Sequence, residues 1–396
     1  MEVFEKITVL TLEQATVLPY LTYRLAMDGM RVIRLEHPVN CDPNRMVGDD
    51  VLGDERMRSY FLAINAGKKA ITLNLATEKG KELLYRLVKE LPVDIFCTNQ
   101  LPKNYKKLGI DYETLRSVKE DIIWVGVTGF GPESDEPAYD PVLQARGGLM
   151  ELTGDPNGPP MTMGVPLPDM GSSEHAYGLI MKALYEKAIT GKGTRIDLVM
   201  FQSTVSWLTV PIMMTATFGK RITRSGNTHQ FFAPVSVYKA RDGYVYIAIG
   251  NDRQWKDMVS IPAFKELDIP QYEHNAGRIA DKDLLNEKIE KITSQFSCDE
   301  LVIMLREKRI PIAKINTIED VINDPLVKTW LLKTKDPVTG VEVILAPPPY
   351  ITPYLIATGK TLSFPPRLGE HNEEVYCGVL KLSKSEFESL KEQAII

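Results

Sequence analysis

A carboxylate stands at the head of a helix-forming stretch in the middle of this chain. In PLPDMGSSEHAYGL, Asp169 precedes Gly171, Ser172 and Ser173, and helical periodicity runs from Ser172 to Ala188. An acidic side chain there has two readings. It caps the helix by accepting first-turn amides that have no partner of their own. Alternatively, it is a reacting group held at the positive end of the helix dipole. Spacing alone leaves both open.

Other chemical signatures are missing. The five histidines, at 37, 175, 229, 274 and 371, show no metal-ligand spacing, and Cys41, Cys97, Cys298 and Cys377 form no CxxC pair. Zinc sites and disulfide frameworks are therefore not expected. No GxGxxG follows the first strand, and neither GxxxxGK[ST] nor GxSxG occurs, which removes the dinucleotide, P-loop and nucleophile-elbow readings.

The elements that must position Asp169 read as α/β. Apolar runs at 6–12, 31–36, 69–75, 93–97, 122–127 and 195–200 predict strands; helical spacing at 20–27, 78–90 and 112–118 predicts the crossovers. Sequential β-α-β units imply a mostly parallel, Rossmann-like sheet. Residues 235–250 read as a hairpin turning at Arg241-Asp242-Gly243, followed by helices to about Glu307. The expected layout is a large domain of 1–200 plus about 330–396, a linker at 201–224 and a smaller α+β domain at 225–325. With 396 residues, two domains are the default. A formal charge of −5 argues against nucleic acid as the main partner. The longest apolar run, 205–218, is too short to span a bilayer, and no signal-peptide pattern follows Met1. A cytoplasmic protein with no membrane partner is expected.

Seven further segments, in order, carry a resemblance. They are VIRLEHP (32–38), NAGKKAITLNL (65–75), VDIFCTNQLPKNYKKLGIDYETL (93–115), TGFGPES (128–134), DPVLQARGGLMELTG (140–154), RSGNTHQFFAPVSVY (224–238) and PRLGEHNEEV (366–375). With the Asp169 stretch and its TGKGTRIDLVMFQS continuation, the chain resembles the class III CoA-transferases. This is the family of formyl-CoA, carnitine and benzylsuccinate CoA-transferases.

The resemblance implies that Asp169 is the nucleophile. With an ordinary pKa of about 3.9, its carboxylate would be ionised at neutral pH without a base. It would attack an acyl-CoA and release thiolate, leaving a mixed anhydride. The thiolate would then form an aspartyl-CoA thioester, and an acceptor acid would reverse the steps. Thr16, Val17, His37, Leu73, Asn99 and Lys107 fall at positions implied to bind CoA, and Lys68 and Lys69 are candidates for charge near its phosphates. Tyr60, Tyr139, Asp140, Gly147 and Gly148 are substrate or oxyanion candidates, with the helix start near Gly171. Tyr60 reads equally as core, and Asp140 with Gln144 as loop-fixing. Gly226, Asn227 and His229 read as a turn near the substrate entrance, and Trp255 as core. Met150, Met161, Met163 and Met170 either line an acyl pocket or pack ordinarily. Several family positions are changed: His37 replaces a basic residue, while Thr98 and Gln100 replace a Glu and an aromatic.

No permanently bound cofactor is implied, only CoA or acyl-CoA as substrate together with an organic acid. Succinyl-CoA is the expected donor, and a branched or aromatic dicarboxylate such as a substituted succinate a candidate acceptor. The implied assembly is an interlocked homodimer, or a heteromer with a related subunit. Two other readings remain: a 2-methylacyl-CoA racemase, whose His position is Tyr139 here, and a non-catalytic CoA-binding subunit.

Overall fold

The computed structural model describes residues 3–396. The chain forms two compact units. The first comprises the residues up to Gly147, Gly164–Thr209 and Leu326–Ile396; the second comprises Gly148–Met163 and Val210–Pro325. Residues 148–163 thus pack with the second unit, and 201–209 with the first.

The first unit is built on six parallel strands: β1 (Thr8–Leu12), β2 (Arg31–Glu36), β3 (Lys68–Thr72), β4 (Ile95–Thr98), β5 (Ile123–Thr128) and β6 (Arg195–Val199). Their order is β3-β2-β1-β4-β5-β6. Register pairs Val9 with Val32 on one side and with Ile95 on the other. Successive side chains point to opposite faces, and here both faces are covered. Val9, Val32, Ile95, Cys97, Ile123 and Val125 pack against helices α1 (Val17–Met27) and, later in the chain, Leu167–Thr190. Leu10, Ile33, Leu35, Phe96 and Trp124 pack on the other face, against α2 (Glu78–Glu90) and α3 (Tyr112–Val118). This explains why the strands are apolar throughout instead of alternating.

Local chemistry sets the helix ends. The Thr77 hydroxyl accepts the Gly80 N–H and starts α2, whose Leu83, Leu84, Leu87 and Val88 form one buried face. Gly29, at φ +90°, turns the chain from α1 into β2. Three further helices complete the frame around Asp169: α4 (Asp140–Arg146), α5 (Leu167–Thr190) and α6 (Met200–Ser206). Phe387, Leu390, Ile395 and Ile396 close the core beside α2.

The second unit carries an antiparallel sheet of β7 (Val235–Lys239), β8 (Tyr244–Ala248) and β9 (Ile312–Lys314). Its core gathers Tyr238, Val245, Ile247, Trp255, Leu285, Ile289 and Leu301. In chain order α6 is followed by α7 (Thr209–Phe218), an apolar helix with no buried residue. Among the described residues no helix is long and apolar enough to cross a membrane.

Candidate active site

Helix α5 begins at Leu167, five residues before the expected Ser172 start, so Asp169 lies inside the first turn and does not cap it. Proline is tolerated there because first-turn amides have no helical acceptor. Leu167 donates to the Val165 carbonyl at 2.8 Å and Met170 to the Pro166 carbonyl at 3.0 Å. The Asp169 N–H donates to Oδ2 of Asp140 at 3.1 Å. Oδ1 of Asp140 in turn accepts Nε2 of Gln144 at 2.6 Å, one turn along α4. The cap therefore comes from Asp140.

That arrangement leaves the Asp169 carboxylate accepting no hydrogen bond among the described residues. Its side chain is half-buried, with the acid group set deep among protein atoms. Burial, aided by the negative charge of Asp140, pushes its pKa up to about 7. The ordinary carboxylate pKa assumed from sequence is thus corrected: near neutral pH this group is poised between acid and anion.

One turn further, the Ser173 hydroxyl lies 2.6 Å from the Val17 carbonyl and 2.8 Å from the Asp169 carbonyl. It ties α5 to the start of α1. The β1–α1 loop leading there is clamped from both sides. Asn99, after β4, holds the Gln14 backbone through Oδ1 at 3.1 Å and Nδ2 at 2.8 Å. Asp42 accepts the Ala15 N–H at 3.0 Å, and Asn44 donates to the Ala15 carbonyl at 2.6 Å. Ala15 sits at φ +61°, a left-handed conformation that L residues adopt only when the surroundings hold it.

Beside this loop, at the carboxyl ends of β1 to β4, opens a cavity of about 220 Å³. Order reverses between β1 and β4, where open α/β sheets bind ligands. Of the residues implied to bind CoA, His37 and Leu73 line it, as does Gln100, one of the changed family positions; Gln14, Cys41 and Leu75 line it too, though no local signal marked them. His37 Nδ1 accepts the Val39 and Asn40 amides, both at 3.1 Å, so its other ring nitrogen carries the proton. Thr16 and Val17 are buried where the adjoining loop enters α1, and Lys107 is exposed on the turn beside the cavity-lining Leu108.

The lysines offered for CoA phosphates are otherwise engaged. Lys68 is fully buried; its Nζ bonds Glu13 at 3.0 Å, the Pro19 carbonyl at 2.7 Å and Asn65 at 2.8 Å. Lys69 pairs with Glu374. Lys68 belongs to a buried network in which Arg34 meets Glu13, Glu36 and Asp42, while Arg45 meets Glu36. Three cations and three anions balance there, and the network holds the floor of the cavity through Glu13, Glu36 and Asp42.

The other candidates are scattered. Tyr60 is half-exposed, its hydroxyl 3.2 Å from that of Thr16. Tyr139 is 72% exposed at the head of α4. The Gly147 N–H donates to the Leu143 carbonyl at 2.8 Å, so it is not a free oxyanion donor. Gly148, at φ +79°, begins the second unit. Gly171 packs against the Trp207 indole, which stacks on His175 at 5.0 Å. His175 Nδ1 meets the Ser203 hydroxyl at 2.7 Å. Met150, Met161 and Met163 lie in the second unit and Met170 in the first. In the second unit, His229 Nδ1 accepts the Phe231 amide within its turn, and Trp255 is core as expected.

The chain belongs to CoA-transferase family III, which residues 4–372 match. It is an enzyme that transfers CoA to an organic acid. It is 32% identical to the acetyl-CoA:oxalate CoA-transferase of Acetobacter aceti over 81% of this chain and 83% of that one. It is 29% identical to the succinyl-CoA:glutarate CoA-transferase of Mus musculus over 98% and 89%. Among solved structures, a CaiB/BaiF family protein from Brucella suis superposes with a TM-score of 0.81 at 32% identity, covering 94% of this chain and 98% of that one.

Proposed function

We propose that Asp169 is the nucleophile of this CoA-transferase and that succinyl-CoA is its donor. The observation that carries the reading is the state of that carboxylate: half-buried, accepting no hydrogen bond among the described residues, and shifted up to about 7. A group so placed is poor for stability and good for attack. The anion adds to the thioester carbonyl, the C–S bond breaks, and CoA thiolate leaves a succinyl–aspartyl anhydride. The thiolate then attacks the aspartyl carbonyl, expelling succinate and forming an aspartyl-CoA thioester. The acceptor carboxylate runs the same steps backward. Because the anhydride is prone to hydrolysis, water must be excluded. Relatives named for glutarate and mesaconate support a dicarboxylate acceptor.

The nucleotide end of CoA fits the cavity at the β1/β4 reversal, beside His37 and Leu73. We place the assembly as two chains, interlocked or paired with a related subunit. Helix α7 supports this, since Val210, Ile212, Met213 and Phe218 are all exposed in the single chain.

Peptide mass spectrometry after incubation with succinyl-CoA tests the reading. A CoA adduct on the Asp169 peptide, absent from Asp169→Ala and discharged by glutarate, mesaconate or a substituted succinate, is the expected result. Deuterium uptake at the α-carbon of a 2-methylacyl-CoA without any adduct would replace transfer with racemisation.

A further inference from the structure

Asp140 touches Asp169 through its backbone amide, and both of its carboxylate oxygens are occupied: Oδ2 by the Asp169 N–H and Oδ1 by Gln144. It is 7% exposed. A substrate ligand needs a free, accessible oxygen, and a simple cap needs no charge, because serine or asparagine caps equally well. Here an acidic side chain, its own pKa raised by burial against the pull of Gln144 and the Asp169 N–H, is fixed one hydrogen bond from the backbone of a second carboxylate. The geometry points to Asp140 as a positioning residue for the transfer: it fixes the first turn of α5 and destabilises the free Asp169 anion, driving Asp169 toward the CoA thioester. This inference rests on the reading of Asp169 as the nucleophile.

The chemistry follows from the balance of the half-reaction. Asp169 carboxylate and acyl-CoA go to aspartyl-CoA and the free acid. One C–S bond breaks and another forms, the donor's acyl group gains the carboxylate oxygen, and no proton moves. The enzyme is anionic at Asp169 on the left and neutral there on the right. A fixed neighbouring anion penalises only the left side, so the thioester is favoured. The same penalty raises the basicity of Asp169 and hence its strength as a nucleophile.

Other charges around Asp169 are already paired. On α5 itself, Glu174 meets Arg24 of α1, and His175 meets Ser203. On α4, Arg146 meets Glu136. On α1, Tyr20 answers to Glu174 and Arg24, and α6 carries no ionisable side chain. Among the described residues, burial first and the Asp140 charge second raise the Asp169 carboxyl.

Asp140→Asn in the full chain is the test, since its amide oxygen still accepts the Asp169 N–H. Two readouts are taken: the pH profile of kcat/KM, and the fraction of enzyme carrying CoA at a fixed ratio of succinyl-CoA to succinate. The acid limb should fall from about 7 by about one unit, and the enzyme-thioester equilibrium constant should drop about tenfold. Asp140→Glu, which keeps the charge, should leave the limb in place. Asp140→Ser serves if the Asn variant does not fold. A folded neutral variant with neither readout moved overturns the inference while the nucleophile stands. Absence of any Asp169 adduct in the wild-type enzyme overturns both.

Discussion

The hydroxyl of Ser173 reaches the carbonyl of Val17 across 156 positions of sequence, at 2.6 Å. It is the hydrogen bond that joins the clamped β1–α1 loop to the turn carrying Asp169. Ser173→Ala leaves the buried Val17 carbonyl without this partner, at a cost of about 1–3 kcal/mol. The expected outcome is a lower urea midpoint together with a loss in kcat/KM. A variant with unchanged activity would show that the loop and the nucleophile are not coupled through this bond.

Asp169→Asn should be inactive and yet more stable than the parent at alkaline pH. The folded carboxyl titrates at about 7, above its unfolded value of about 3.9. Its contribution is therefore fully present below pH 4 and is lost as pH climbs through 7, because the unfolded chain gives up the proton first. Thermal melts should show the Asn variant gaining on wild type between about pH 4 and 7 and holding its lead above that. Equal pH dependence of the two proteins would contradict the shifted carboxyl.

Lys68→Met should damage the fold more than CoA binding. Burial pulls the Lys68 pKa down to about 8, and its ammonium is still the partner of buried Glu13. Removing one side of such a pair leaves an uncompensated interior charge, worth roughly 3–5 kcal/mol. Denaturant unfolding measures it. A stable variant with a raised KM for acyl-CoA would restore the phosphate role that the structure removes.

Cys41 offers a direct report on the cavity. It is half-buried on the cavity lining, whereas Cys97 and Cys298 are buried and Cys377 lies elsewhere. CoA should protect Cys41 from alkylation and leave Cys377 unprotected, as read by peptide mass spectrometry. Equal labelling of Cys41 with and without CoA would place the nucleotide outside this cavity.

The sheet was legible because both-face burial writes continuous apolar runs: β2, α2 and α3 fall at the expected residues. The start of α5 was placed late because Asp169 reads as a cap ahead of Ser172, whereas Leu167 and Pro168 already form the first turn, where a proline forgoes no hydrogen bond. Asp169 stood out by motif, but its chemical state did not, since that depends on its burial and on Asp140 twenty-nine residues away. Lys68 and Lys69 look alike in sequence; only the strand's alternation sends Lys68 inward to Glu13 and Lys69 outward to Glu374. Asn99, implied to touch CoA, uses its amide oxygen and nitrogen to hold the Gln14 backbone, a role no sequence signal marked.

The first core is stitched from distant stretches of sequence, and this governs its birth on the ribosome. Leu10, Ile33 and Phe96 share a cluster with Phe387, Leu390, Ile395 and Ile396. At ~5–20 residues per second, roughly 20–80 s separate the synthesis of Leu10 from that of Ile396. During that interval the α2 face of the sheet waits without part of its cover, while the second unit, contributed mostly by residues 210–325, emerges and gathers its own core. The nascent chain is therefore best shielded over that face, and added chaperone should raise the yield of folded enzyme.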